Sequence, residues 1–478
     1  MSSEFIRARL IPVGLRVIAL LLLGSMLATA VHDASQAWDV SYYHLPFAGR
    51  LVGLLPASAY VFSAANHARF QGFGLLAELL QGALWRVTGR PESVNLVAFS
   101  AVPLLAWFAQ KRLGVPWYLT VLSLLAIPLV HTHATSAYVD LPGNAAASVL
   151  VLTTLEAYAS ERPLGRPALA LALLAAAVAA NVKPLLQPTV AVALVLLGAR
   201  VLRTNSRREA RQSLGLGLLA LPVVFATPLK DLVLYGNPFF PVRLTLFGHP
   251  LLGVEDPYSS SPLWLASAPR PLRFLASIFE VGLRPLSDPR RWTVDQWMPE
   301  DAPGYRMGGF FHAYVAFQLG LLGWRVAVDR TRAVRVVAMG IALLTLLVSA
   351  MPQSHELRYY MEWMIVLVLM NAWLACRPEG SRTGPGPGWL AGGATLSLAV
   401  VILVTRGAYA YPAGSTYADL IRVHVDERAI AGIGKNERVC VAREPFDVLW
   451  APLFHPERTY VLKEAESPSD CAGFRLLE

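Results

Sequence analysis

Apolar runs of roughly 20 residues recur along this chain, a length that crosses about 30 Å of hydrocarbon as a helix. They lie at 11–31, 93–110, 117–131, 141–158, 168–183, 186–202, 213–229, 309–326, 334–351, 359–376 and 388–405. Inside a bilayer only a helix or a closed barrel satisfies its own backbone. The runs therefore predict an all-α polytopic membrane protein with about eleven transmembrane helices. Composition agrees: 15% of the 478 residues are charged, against about 25% in a soluble protein. With 55% hydrophobic residues and three cysteines, neither a disordered chain nor a disulfide-stapled secreted scaffold fits.

The net charge of +9 is unevenly placed. Basic residues cluster between spans: Lys111-Arg112, Arg162 to Arg166, Arg200 to Arg211, Arg325 to Arg335, and Arg377 to Arg382. With the N-terminus inside, all five fall on the cytoplasmic side, as the positive-inside rule asks. That placement accounts for the charge without a nucleic-acid partner. Ala28-Thr29-Ala30 resembles a signal-peptidase site, but the run before it is longer than a usual signal segment, so a retained anchor is expected.

The opposite side receives long outer loops at 32–92 and 230–308, and a tail from about 407. In the first loop, Phe73, Leu76, Leu80, Leu84 and Val87 share one face at helical spacing. The pattern predicts an amphipathic helix lying at the membrane interface. The second loop holds Gly236-Asn237-Pro238-Phe239-Phe240-Pro241, expected to be a rigid turn near the headgroups. The tail reads as a small C-terminal α/β appendage: helical 417–433, strand 438–442, helical 445–453 and strand 458–462. Cys440 and Cys471 both lie in it, either as a disulfide or as two buried thiols. Gly384 to Gly388 reads as a cytoplasmic linker.

Ionisable residues at membrane ends are functional candidates by default. On the cytoplasmic side they are almost all Arg and Lys. The outer side collects acids, histidines and cations together, so chemistry is expected there. Asp39, within Trp38-Asp39-Val40-Ser41-Tyr42-Tyr43-His44-Leu45-Pro46, is either a base or a helix cap. Asp140, in Tyr138-Val139-Asp140-Leu141-Pro142, admits the same two readings. Lys183 and Arg358 either snorkel to the interface or hold a lipid phosphate, for which an ammonium or a guanidinium fork is suited. Tyr43 and His44 join the substrate-binding candidates. His131 and His133, with a carboxylate nearby, are weak candidates for a divalent metal. Glu78 is expected on the polar face of its interfacial helix, and Asp33 in solvent.

In this order these segments resemble the GT-C glycosyltransferases, and more nearly their bacterial mannosyltransferase and aminoarabinose-transferase types. The resemblance rests on an N-terminal anchor, Asp39 early in the first outer loop, a second outer acid at Asp140, Tyr235 to Pro241 after a span, and Arg358-Tyr359 opening a late one. It covers residues 1–406 as a GT-C-like transmembrane domain and leaves 407–478 as a periplasmic segment. It implies transfer of a hexosyl or pentosyl unit from a polyprenyl-phosphate-linked sugar donor to an acceptor glycan, lipid or protein. The reaction would face the periplasm, from a multi-pass protein of the bacterial inner membrane. Asp39 would be the base or orient the acceptor, and Asp140 the second-loop acid. Many members carry a paired Asp-Glu in the first loop, whereas here Val40 follows Asp39.

The alternatives are an O-antigen ligase or polymerase, a lipid-linked-sugar transporter or flippase, and a non-catalytic assembly subunit. The first draws on Arg270, Arg273, Arg284, Arg290, Arg291 and Arg306 in the second outer loop. The second calls for ionisable groups mid-span and related broken halves, whereas the charges here sit at span ends and no internal repeat is visible.

Overall fold

The structure, a computed structural model, describes residues 3–160, 163–246, 248–255, 265, 267–281, 309–377, 385–405, 407 and 410–477. Arg284, Arg290, Arg291 and Arg306 lie outside the described residues, as do Arg162, Arg382 and Gly384.

The membrane region is a helical bundle. Its helices are α1 (Ser3–His32), α2 (Leu45–Leu51), α3 (Ala64–Gly72), α4 (Leu76–Thr88), α5 (Asn95–Phe108), α6 (Trp117–Leu125), α7 (Pro128–His133) and α8 (Asp140–Ala159). After them come α9 (Arg166–Val182), α10 (Gln187–Thr204), α11 (Arg207–Val224), α12 (Ala226–Tyr235), α13 (Arg270–Ile278) and α14 (His312–Val328). The last of the bundle are α15 (Arg332–Ala350), α16 (Met361–Cys376) and α17 (Pro387–Val404).

Among the described residues, six helical stretches are long and apolar enough to cross a membrane, or seven if the pair α11 and α12, bent by 56°, forms one span. The expected eleven are not reached by this measure, for local reasons. The 117–131 run breaks between α6 and α7, where Pro128 starts a new helix. The α9 and α14 helices stop at 17 residues. The α8 helix has the length but carries Asn144, Ser148, Thr153 and Thr154, all buried against protein. It packs on α5, α9, α10, α15 and α16 at the centre of the bundle. Beside it, α16 is buried on every side from Met361 to Ala375, as an apolar-all-round helix must be. At the edge, α1 leaves Leu20 and Leu21 exposed and packs on α5 and α6.

Over one end of the bundle sits an α/β layer. Strand β1 (Tyr60–Val61) comes from the first outer loop; β2 (Leu244–Leu246) and β3 (His249–Leu251) make a separate antiparallel hairpin. From the tail come β4 (Glu437–Val441), β5 (Tyr460–Glu464) and β6 (Arg475–Leu476), giving a sheet of order β1-β5-β4-β6 with parallel pairing throughout. Phe47, Tyr60 and Trp85 of the first loop share one apolar core with Tyr417, Val439, Trp450 and Leu462 of the tail. Glu464 fastens the two: it accepts from Tyr60 Oη at 2.6 Å, Ser63 N at 2.8 Å and Asn66 Nδ2 at 2.9 Å. The tail's helical stretch is two pieces, α18 (Tyr417–His424) and α19 (Glu427–Ala431). Cys440 and Cys471 are joined in a disulfide.

Two acids sit differently from expectation. Asp33 is buried because its carboxylate accepts from Ala413 N at 2.6 Å and Gly414 N at 2.9 Å, tying the end of α1 to the tail. Glu78 is 1% exposed, because α4 buries its polar and small face, Ala77, Glu78, Gln81 and Gly82, against the outer layer. Gly82 permits this: a Cβ there would stand 2.3 Å from the Ala48 carbonyl oxygen of α2. The apolar face of α4 points outward instead, with Leu79, Leu80 and Val87 exposed.

Candidate active site

Asp39 begins a wide π-helical turn, Val40–His44, that leads into α2. Its side chain caps nothing there. The carboxylate instead accepts from Arg358 Nη1 at 2.8 Å, across 319 residues of sequence. Asp140 does not cap α8 either; Val139 holds that position, and Asp140 lies in the first turn with its carboxylate paired to Lys183 Nζ. The helix-cap reading of both acids therefore gives way to two ion pairs.

Main-chain geometry delivers the cations. Lys183 follows the last residue of α9, where Pro184 forbids a continuing helix. Arg358 lies in the short 3₁₀ turn Leu357–Tyr360 that enters α16. Asn144 of α8 secures that turn, donating to the Arg358 carbonyl at 3.3 Å and accepting from Glu362 N at 2.9 Å.

Tyr359 connects the pairs, a role that its place in a sequence motif did not reveal. Lys183 Nζ stands 3.9 Å from its ring centroid and the Arg358 guanidinium 4.9 Å, while Arg358 Nη2 donates to its hydroxyl at 3.1 Å. Arg358 also stands 5.1 Å from the Tyr138 ring. Two cations against shared aromatic faces gain quadrupole attraction that adds to each ion pair. Burial alone would raise the Asp39 carboxyl, but Arg358, and after it His44, outweigh that and hold it below its ordinary 3.8. Asp39 is ionised at neutral pH and sits close enough to Asp140 to feel its charge.

Tyr43 and His44 lie beside this centre. The Tyr43 ring packs 4.3 Å from His44, 5.7 Å from Phe47 and 6.0 Å from Phe73. His44 Nδ1 donates to Glu78 Oε1 at 2.8 Å, both side chains buried. Glu78 thus belongs to the site's wall; a four-residue helical repeat could not show that the polar side of α4 is its inner side. His131 and His133 are buried in α7, with His133 4.9 Å from the Tyr138 ring. Among the described residues no three His, Cys, Asp or Glu side chains converge as a metal group would need, so the two histidines lack a third ligand.

The second outer stretch approaches from the side. Glu255 pairs with Arg69 of α3 at 2.6 Å, and Lys230 donates to the Gln71 carbonyl. The turn after α12 is built as its sequence suggests: Gly236 takes a φ of 66°, and Asn237 Nδ2 bridges the Val242 and Leu252 carbonyls at 2.8 and 3.0 Å.

No protein-family model matches the chain, and no curated protein matches it in sequence. A solved structure is similar in fold: ArnT from Cupriavidus metallidurans in the apo state, at 12% identity and a TM-score of 0.52, over 95% of this chain and 86% of that one. At that identity the likeness speaks for architecture. The chain has the fold of ArnT, a GT-C glycosyltransferase, which is the group its ordered motifs resemble.

Proposed function

We propose that this protein is an integral-membrane glycosyltransferase that moves a sugar from a polyprenyl-phosphate donor to an acceptor hydroxyl at the periplasmic face of the bacterial inner membrane. The observation that carries the reading is the pair of ion pairs, Asp39–Arg358 and Asp140–Lys183, meeting at Tyr359 at one end of an ArnT-like bundle. The opposite ends of the same helices carry the arginines, which supports this end as the outer one.

The chemistry needs a base and an anion hole. The acceptor oxygen attacks the anomeric carbon while its proton passes to Asp39; the bond from that carbon to the phosphate oxygen breaks, and its electrons leave on the phosphate. Arg358 and Lys183 stabilise that developing charge. The resting geometry gives binding a further role. A donor phosphate competes with Asp39 for Arg358; once that pair is drawn apart, the Asp39 carboxyl loses its main stabilising cation and becomes a stronger base. Asp140, more deeply buried, keeps Lys183 aimed at the phosphate. No step is assigned to a metal.

The deciding experiment is transfer of labelled sugar from a polyprenyl-phosphate donor by Asp39→Asn protein whose folding and membrane insertion match the parent. Undiminished transfer would remove the catalytic assignment.

A further inference from the structure

Three helices run from the candidate active site to a second feature at the other end of the bundle. Asp140 starts α8, Lys183 follows α9 and Arg358 precedes α16. The far ends of the same helices, joined by the start of α15 and by the turn after α5, line a half-open cavity of about 810 Å³. The 20 residues of α8 put roughly 30 Å between the two ends, the thickness of a bilayer core.

Among the described residues, the guanidinium groups of Arg112, Arg332 and Arg377 line this cavity together with the carboxylate of Glu156. Arg112 Nη2 pairs with Glu156 at 2.9 Å, and the Arg377 guanidinium stands 4.7 Å from the Trp373 ring. Arg332 Nε donates to the Tyr158 carbonyl at 3.0 Å, and Arg200 takes the Ala157 and Ser160 carbonyls at 2.8 and 2.6 Å. The carbonyl end of α8, the natural negative pole here, is thereby covered. Two positive helix ends also contribute lining: Gly165 and Pro167 at the start of α9, Thr331 at the start of α15. The remaining wall is apolar, from residues such as Ala157, Leu164, Ala168 and Ala333.

We propose that this cavity binds the phosphate headgroup of an anionic phospholipid. A guanidinium-lined, partly apolar hollow at the ends of spanning helices is complementary to an amphiphile with a charged head; a free phosphate would use only the cations. Naming its side as the inner leaflet rests on the orientation proposed above; the binding itself does not.

The test uses purified full-length protein, delipidated in detergent and titrated with phosphatidylglycerol, phosphatidylcholine or inorganic phosphate, with bound lipid counted by native mass spectrometry. Phosphatidylglycerol is expected to bind at least tenfold tighter than phosphatidylcholine, and Arg112→Gln/Arg377→Gln to weaken it about thirtyfold, as the loss of two cations at an anionic headgroup implies. Gly165→Asp guards against a variant that fails to fold. Gly165 is the residue before the first turn of α9, with ordinary backbone and only Pro167 Cδ, at 3.8 Å, near its missing Cβ. An Asp suits a helix start while adding a negative charge to the cavity, so it should retain thermal stability and lose lipid about fivefold. Equal binding of the two lipids, or unchanged affinity in Gly165→Asp, overturns the proposal. Displacement of bound lipid by millimolar inorganic phosphate overturns its lipid part. Asp39→Asn should bind phosphatidylglycerol as the parent does, so the failure of either proposal is read separately.

Discussion

The two carboxylates of the candidate site hold the same kind of partner in different surroundings. Asp39 retains 18% side-chain exposure and sits on a turn of the outer layer; Asp140 retains 1% and sits in the first turn of the central helix. Breaking a buried pair strands a charge in low dielectric, whereas a pair at the rim exchanges partners at modest cost. Under the proposed function the difference separates two jobs: Asp39 would change partners during the reaction, and Asp140 would keep its own.

The largest effect expected from this contrast is on rate. Asp39→Asn should lower sugar transfer by about 10² to 10⁴, the span of a lost general base, with a thermal midpoint at neutral pH only modestly below that of the parent, by the loss of the Arg358 pair. A similar loss of transfer explained by a collapsed midpoint would erase the distinction between the two acids.

Asp140→Asn should show the reverse balance, destabilising the protein by about 3 to 5 kcal/mol because Lys183 is left buried without its anion. Adding Lys183→Met should restore much of that stability, since no charge then remains to be paired. Transfer should stay low in the double variant, because the phosphate has lost one of its two cations. Denaturation in detergent beside a transfer assay separates the two quantities; a double variant as unstable as Asp140→Asn would argue that the pair is not the source of the loss.

Acid sharpens the contrast further. Asp39 is held below its ordinary 3.8 in the folded protein. A depressed carboxyl contributes stability that is fully present above its unfolded value and is lost as the pH falls through the folded one. Thermal midpoints followed from about pH 6 to pH 3 should therefore fall more for the parent than for Asp39→Asn. Parallel curves would mean that the Arg358 pair does not form in solution.

The smallest effect is expected at Tyr359→Phe. The ring facing both cations survives and only the hydroxyl bonded to Arg358 is lost, so transfer should fall about tenfold, the low end for one hydrogen bond to a charged group. Tyr359→Leu, which removes the ring, should cost more; equal losses would make the aromatic face irrelevant.

Much of this was legible beforehand, for a physical reason. Asp39, Asp140, Lys183 and Arg358 each stand out because a charge at the end of an apolar run is costly and therefore conspicuous. Who pairs with whom was not legible. Asp39 and Arg358 are 319 residues apart, and no local periodicity reaches that far. Glu78 reads as part of the polar face of an interfacial helix, and the usual rule has such a face look outward. That rule inverts where a helix shows its apolar side outward and its small, polar side to a protein layer. The count of about eleven spans is not reached by length and composition where an apolar run also serves the interior of the bundle, as in α8, whose buried hydroxyls and amides find partners in protein. The fold's overall class does not turn on that count because it depends on the sum of the runs.

The parallel pairing of Tyr60 with Leu462 sets an order of construction. The first outer loop is made early, yet the strand it joins is made some 400 residues later, as is Glu464, which takes three of the loop's hydrogen-bond donors. Until β5 arrives, β1 has no neighbour in its sheet, and the turn carrying Asp39 lacks the completed layer it packs against. The chain therefore assembles in a closed circuit: an early segment and a late one meet to complete the wall of the candidate site, and a chain released before residue 464 carries a bundle without that wall.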